Sequence, residues 1–261
     1  MAIKLFEHPL SPYVQKVKIV LYEKGLPFER VFVDVNAPAE DPVYQEFVLA
    51  SPRREVPALV DGEVRLFDST VIVEYLEERY RNRETSPPEA AERARVRMLE
   101  EMMDGEYEAV NWGIGEVKLF KRAVGDREQT LLTRAGLQLQ RLWNRLDREL
   151  EGRSWFNGEA FGRGDAAVFP HVMLSQQIGY PIDDRRPKLA DWLARAGERD
   201  SARRVMDEAR EAFQRMSGGT PNDVVRQYRD YRLEWMFKTG GSDIVVDGLL
   251  NGSIRFADEF E

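Results

Sequence analysis

The chain has 261 residues, 43% of them hydrophobic and 32% charged, and 38 basic against 46 acidic side chains set its formal net charge at −8. An acidic balance without a sustained basic block excludes nucleic acid as a natural partner, and no apolar stretch approaches the ~20 residues that span a bilayer. Cysteine is absent and there are two histidines, His8 and His171, which removes disulfides, protein-thiol catalysis and the usual zinc constellations.

The first residues, broken early by Lys4 and Pro9, carry no secretory pattern, so the cytoplasm is the expected location and no metal is expected. Residues 3–7 alternate apolar and polar as a short strand does. Ser11-Pro12 then announces a helix, a serine cap with proline at the first helical position; Val14, Val17, Val20 and Leu21 share one face, and Gly25 ends the run. Val31 to Val33 reads as a second strand, and a helix is expected within 41–49. Val56 to Val60, the Asp61-Gly62 turn and Val64 to Phe67 make a hairpin. Ser69 opens a helix carrying Val71, Ile72, Tyr75 and Leu76. A helix between two strands implies a parallel pair and the hairpin an antiparallel one, so the sheet is mixed.

Residues 82–88 are polar and include Pro87-Pro88, a linker composition. Helices are expected over 89–122 (kinked at Gly113 or Gly115), 127–150, 165–178, 187–197 and 200–216. The tail, 217–261, carries Val224, Tyr228, Tyr231 and Trp235 at helical spacing. That predicts a helix over about 222–239 packing on the body or on a second subunit, with the arginines at 226, 229 and 232 on its solvated face.

Four motifs in order resemble the glutathione transferase family: Ser11-Pro12-Tyr13 at the first helix start, Val56-Pro57, Asp68-Ser69, and Gly158 to Ala167 in the helical half. The resemblance covers roughly 3–216. It implies a thioredoxin-like α/β N-terminal domain with a four-stranded mixed sheet over 1–81, an all-α C-terminal bundle over 89–216, a homodimer, and glutathione as co-substrate. It also implies transfer of the glutathione sulfur onto a small hydrophobic electrophile. Conjugation, isomerisation, ether cleavage and peroxide reduction stay open, as does a non-catalytic interaction module of the same fold. A thiol-disulfide oxidoreductase would need the missing cysteine.

Within that resemblance Ser11 is the catalytic residue. Its O–H and the amides of the helix start can stabilise a bound thiolate, since a thiol grows acidic near donors and positive charge; the plain alternative is an ordinary helix cap. The tyrosine used by some relatives is absent, because Phe6-Glu7-His8 stands at the strand end; His8 is expected to face solvent. Val56 and Pro57, with a cis bond, are expected to pair with the cysteinyl backbone of glutathione. Asp68 would meet the γ-glutamyl ammonium and Ser69 its carboxylate, although both also suit a helix cap. At 54 and 55 the family commonly has glycine and then a donor for the glycyl carboxylate. Here stand Arg54 and Glu55, and Arg54 or Arg53 is the candidate replacement cation. Tyr13, Tyr107 and Trp112, with Phe120, are candidate walls of the electrophile pocket, with a core role for the last three equally consistent. Gly162 stands where a hydroxyl cap is usual, three residues before Asp165.

Overall fold

The computed structural model describes residues 3–34, 37–38, 40–216, 226–228 and 230–256. Its first part runs β1 (Ile3–Glu7), α1 (Pro12–Lys24), β2 (Phe28–Phe32), α2 (Pro42–Ala50), β3 (Ala58–Asp61), β4 (Val64–Phe67) and α3 (Ser69–Arg79). The sheet order is β2-β1-β3-β4. β1 and β2 are parallel, and β1–β3 and β3–β4 antiparallel, so the sheet is mixed as expected. β2 starts three residues before the expected strand, because the pairing of Ile3 with Phe28 extends the ladder beyond the apolar Val31-Phe32-Val33 run.

The helices that follow are α4 (Ala90–Met102), a π-helical turn (Met103–Tyr107), α5 (Glu108–Lys118), α6 (Gly125–Glu149), α7 (Arg163–Gln177), α8 (Pro187–Gly197) and α9 (Asp200–Met216). The single long helix expected over 89–122 is therefore divided at the π turn and not at Gly113 or Gly115. Such turns open the regular ladder by one residue and cluster at functional sites. Here the opening coincides with the Asp104 carbonyl, which accepts the Tyr13 hydroxyl at 2.8 Å.

α1 is buried on nearly every side. Val14, Val17, Ile19, Val20 and Leu21 are joined in the interior by Lys16, Lys18 and Lys24, each about 1% exposed. Each lysine meets carboxylates. Lys16 pairs with Glu100 at 2.8 Å and with Asp104; Lys18 pairs with Glu7 at 2.5 Å and with Glu208; Lys24 meets Glu77 at 3.2 Å. Buried ammonium groups persist only when so compensated, and these pairs tie the sheet layer to α4, the π turn and α9.

Asp165, fully buried, accepts from the backbone N–H of Gly162 (3.0 Å), Phe156 (2.9 Å) and Asn157 (3.3 Å) and from the Trp192 indole (2.7 Å). Gly162 replaces the usual hydroxyl cap for a steric reason. A Cβ there would lie 2.2 Å from the Thr85 carbonyl oxygen, which accepts from Arg163 N–H at 2.8 Å. The 82–88 segment is thereby pinned to the start of α7.

The tail departs from the predicted single helix. β5 (Arg226–Tyr228) pairs in parallel with β6 (Ile254–Phe256), and between them lie α10 (Asp230–Thr239) and α11 (Ser242–Leu250). The helix begins eight residues later than the aromatic spacing suggests, since Tyr228 belongs to a ladder and Asp230, at φ +45°, breaks the extended run. Residues 217–225 and Arg229 lie outside the described residues. Among the described residues no helix is long and apolar enough to cross a membrane, and no group of three His, Cys, Asp or Glu side chains could hold a metal ion.

Candidate active site

The sheet register gathers the sequence motifs at one end of the sheet. Phe6 stands opposite Ala58, and Ala58 opposite Phe67. The loop after β1, the residue before β3 and the residue after β4 therefore share that end, which brings Ser11, Pro57 and Asp68-Ser69 to one edge of the domain. No local pattern in any one motif contains this arrangement.

Ser11 is the N-cap of α1, extended at φ −76° and ψ 121°. Its Oγ accepts from Val14 N–H at 3.4 Å, a long and weak bond. The hydroxyl proton is thus available to a ligand placed where the helix amides already point. Tyr13 is half-buried, with its hydroxyl on the Asp104 carbonyl and its ring edge-on to His171, centroids 5.9 Å apart. Burial, reinforced by the Glu108 charge, pushes this hydroxyl well above the usual phenol range, so it stays neutral. His8 does not face solvent as expected. It packs on Phe32 at 5.4 Å, and burial lowers its pKa.

The Val56–Pro57 bond is cis. Just before it Arg54 adopts φ +55°, a left-handed backbone that glycine adopts at least cost. The Ser51 hydroxyl closes the loop, donating to the Glu55 carbonyl at 2.9 Å and accepting from Glu55 N–H at 3.2 Å. The Arg54 side chain is exposed, whereas Arg53 Nε lies 3.3 Å from the Glu55 carboxylate. Burial pushes the Glu55 pKa up, against the pull of Arg53 and of Arg232.

Asp68 sits at φ +74° and ψ 123°, a strained conformation for a non-glycine residue, and Oδ1 accepts from Thr70 and Val71 N–H at 2.9 and 3.1 Å. Backbone strain of this kind costs of order 1–3 kcal/mol and concentrates at functional sites. Ser69 follows at the first helical position, 4% exposed. Beneath it Thr70 Oγ1 meets Glu100 and Asp104, and Arg163 joins Glu100 (2.8 Å) and Glu74 (2.6 Å). A continuous charged cluster therefore underlies Ser69 and the first turn of α1. Burial raises the Asp104 pKa, but Lys16, followed by His171, outweighs it and holds the carboxyl at about 2.

The expected aromatic wall is largely missing. Tyr107 is fully buried, its hydroxyl bonded to Ser175 Oγ and to the Trp143 indole N–H, both at 2.8 Å. It is a core residue. Trp112 is 7% exposed because the tail covers it: Tyr228 lies edge-on at 4.4 Å and the Arg226 and Arg232 guanidiniums lie over its ring at 5.9 and 5.2 Å. Arg226 likewise covers Phe120 at 4.2 Å. Neither arginine is on a solvated face. Arg226 bonds Glu116 at 2.6 Å, and Arg232 bonds Glu108 through Nε (3.1 Å) and Nη2 (2.6 Å). These two arginines, Glu108 and Asp104 are the residues that sequence reasoning missed. Their only trace was the aromatic stripe marking the tail as packed.

Two family matches coincide with this architecture: the Glutathione S-transferase N-terminal domain over residues 5–84 and the C-terminal domain over 129–195, together more than half of the chain. Glutathione S-transferase F7 of Arabidopsis thaliana is 25% identical over 210 residues, 78% of this chain and 99% of that protein. Glutathione S-transferase GstB of Escherichia coli (strain K12) is 28% identical over 210 residues, 78% of this chain and 97% of that protein. Among solved structures, a glutathione transferase family member from Pseudomonas fluorescens, with two glutathione bound, is 27% identical with a TM-score of 0.66, covering 78% of this chain and 92% of that one. The C-terminal family match ends at residue 195, so the tail lies beyond it.

Proposed function

Because the chain belongs to the glutathione S-transferase family, we propose that it uses the thiolate of bound glutathione on a small electrophile with a hydrophobic body. The supporting observation is the loosely engaged Ser11 hydroxyl at the amino end of α1, on the same sheet edge as Pro57 and Ser69. Glutathione lies along that edge. The Val56 backbone pairs with its cysteinyl unit, Ser69 and the α3 amides take the γ-glutamyl carboxylate, and the second Asp68 oxygen takes the ammonium. Arg53 and Arg54 are the cations on the glycyl side.

The thiol gives its proton to solvent, and the Ser11 O–H and the α1 dipole stabilise the sulfur anion left behind. Ser11 itself keeps its proton. The anion then attacks an electrophile whose apolar part rests on Tyr13, so orientation and thiol activation supply the rate. Residues 1–81 form the thiol domain and 89–216 the substrate domain of a cytoplasmic homodimer. The exposed Val71 of α3 and Met98 of α4, on helices joined by the Arg97–Glu74 pair at 2.7 Å, are apolar surface for its interface.

Replacing Ser11 by Ala tests the reading. With glutathione and a reactive aryl halide, kcat/KM is expected to fall roughly 100-fold, the apparent pKa of the bound thiol to rise, and the melting temperature to stay nearly constant. An unmoved thiol pKa removes Ser11 from its role. The second reading, a non-catalytic interaction module, is favoured by one observation: Glu55 is an acid beside the place of the glycyl carboxylate. Under that reading saturating glutathione leaves the melting temperature unchanged; a real site raises it by mass action.

A further inference from the structure

Tyr13, two positions beyond Ser11 on α1, is held by two residues of the helical half. Its hydroxyl donates to the Asp104 carbonyl at 2.8 Å. Its ring stands at 84° to the His171 imidazole, centroids 5.9 Å apart, within the attractive range of edge-to-face rings. His171 is itself fixed. Tyr107, anchored to Ser175 and Trp143, packs on the same imidazole at 6.2 Å, and the Asn111 amide donates to the His171 carbonyl at 2.8 Å.

The imidazole is 1% exposed. Among the described residues neither of its ring nitrogens has a hydrogen-bond partner, and neither does Oδ1 of Asp104. Buried polar atoms are seldom left so. These groups face each other, with Nε2 3.6 Å from Oδ1, and a shift of less than about 1 Å would close a hydrogen bond between them. The rest of Asp104 is committed. Its carbonyl serves Tyr13, and Oδ2 accepts from Lys16 and, at 3.2 Å, from Thr70. Oδ1 is the oxygen turned to α7. A neutral imidazole carries one N–H, and a carboxylate opposite Nε2 selects that nitrogen for it.

We propose that His171 is a positioning residue of the electrophile subsite: through Asp104 Oδ1 it steadies the π turn, and through that turn and its own ring it sets the angle of the Tyr13 ring on which the electrophile rests. The inference rests on the thiol-transfer reading above and adds a residue to its substrate side. His171, being buried, acts through Tyr13. A wall ring free to tilt accepts an aryl group in many orientations, few of which align the reacting carbon with the sulfur anion. A ring held at both its hydroxyl and its face restricts them.

The test uses the full-length chain with glutathione and chlorodinitrobenzene. His171→Phe keeps an aromatic ring in place and removes both nitrogens, while Asp104 retains Lys16 and Thr70, so its carboxylate is not stranded. KM for the aryl halide is expected to rise roughly fivefold, with KM for glutathione and the apparent pKa of the bound thiol unchanged. In a Tyr13→Ala background no ring remains to be positioned, and His171→Phe should then leave KM where Tyr13→Ala alone puts it. An unmoved KM for the halide in folded His171→Phe, or the same rise with and without the Tyr13 ring, overturns the assignment and leaves the transferase reading standing. The wild type supplies a readout that needs no folded variant at 171, because the chain has two histidines and His8→Gln identifies the other signal. Ring-nitrogen NMR should show a proton on Nε2 of His171, and this signal should shift when S-dinitrophenyl glutathione fills the cleft. A proton on Nδ1 alone, or a signal blind to that product, overturns the assignment as well. A wild type that neither conjugates the halide nor binds the product overturns the thiol-transfer reading itself.

Discussion

A single methyl group added at Gly113 measures how firmly the tail is seated. On α5 a Cβ at this position would fall 2.3 Å from the Trp235 ring, and the indole cannot swing aside cheaply because it is buried and bonded to Gln138 at 2.8 Å. Alanine in a helix interior gains about 1 kcal/mol over glycine. Against this, overpacking costs about 1–3 kcal/mol if the ring shifts, and expelling the indole costs about 3–5 kcal/mol. Gly113→Ala should therefore lose about 0–4 kcal/mol net. Gly115 supplies the control two residues on, since a Cβ there meets nothing within 4 Å; Gly115→Ala should gain up to about 1 kcal/mol. Urea unfolding followed by circular dichroism reads both. In a Trp235→Ala background the Gly113→Ala penalty should vanish, as a coupled pair requires. Equal stability of Gly113→Ala and Gly115→Ala in the wild-type background would refute the seating of α10 on α5.

Three further predictions follow from the buried polar groups. Asp104, held at about 2 in the fold, contributes stability that is present above pH ~4 and is lost as pH falls through about 2, roughly 2 kcal/mol in all; a pH series of unfolding free energies should flatten over this window in Asp104→Asn. Asp165→Ala strands three backbone N–H groups and the Trp192 indole, and should cost more than about 3 kcal/mol or prevent folding; a melting temperature within a few degrees of wild type would contradict this. Tyr13→Phe removes only a neutral hydroxyl, so the apparent pKa of the bound thiol should stay in place, and a shift would make Tyr13 a participant in thiol ionisation.

Much of the fold was legible because its signals are local. Ser11-Pro12 and Gly25 delimit α1 through the orphan amides and carbonyls of its own ends, Asp61-Gly62 joins β3 to β4 by turn geometry, and Ser69 stands at the first position of α3. The cis bond at Pro57 was legible only through resemblance. The helix expected over 222–239 failed for a non-local reason: Tyr228 is drawn into a ladder with residues near 256, a competitor that helical spacing does not reveal.

The amino-acid sequence by itself determined the order of the elements as far as α3, the mixed sheet and the placement of Ser11, Pro57 and Ser69 at element ends, because caps, turns and alternation act between near neighbours. It did not determine which charges go inside. Lys16, Lys18 and Lys24 look like the wet side of an amphipathic helix, and Arg232 like the wet side of another. The lysines are buried, and Arg232 is half-buried, because a carboxylate from a distant element meets each: Glu100 across 84 positions for Lys16, Glu108 across 124 for Arg232. Burying a charge is favourable only once its partner is in place, and that partner arrives only when the chain has folded.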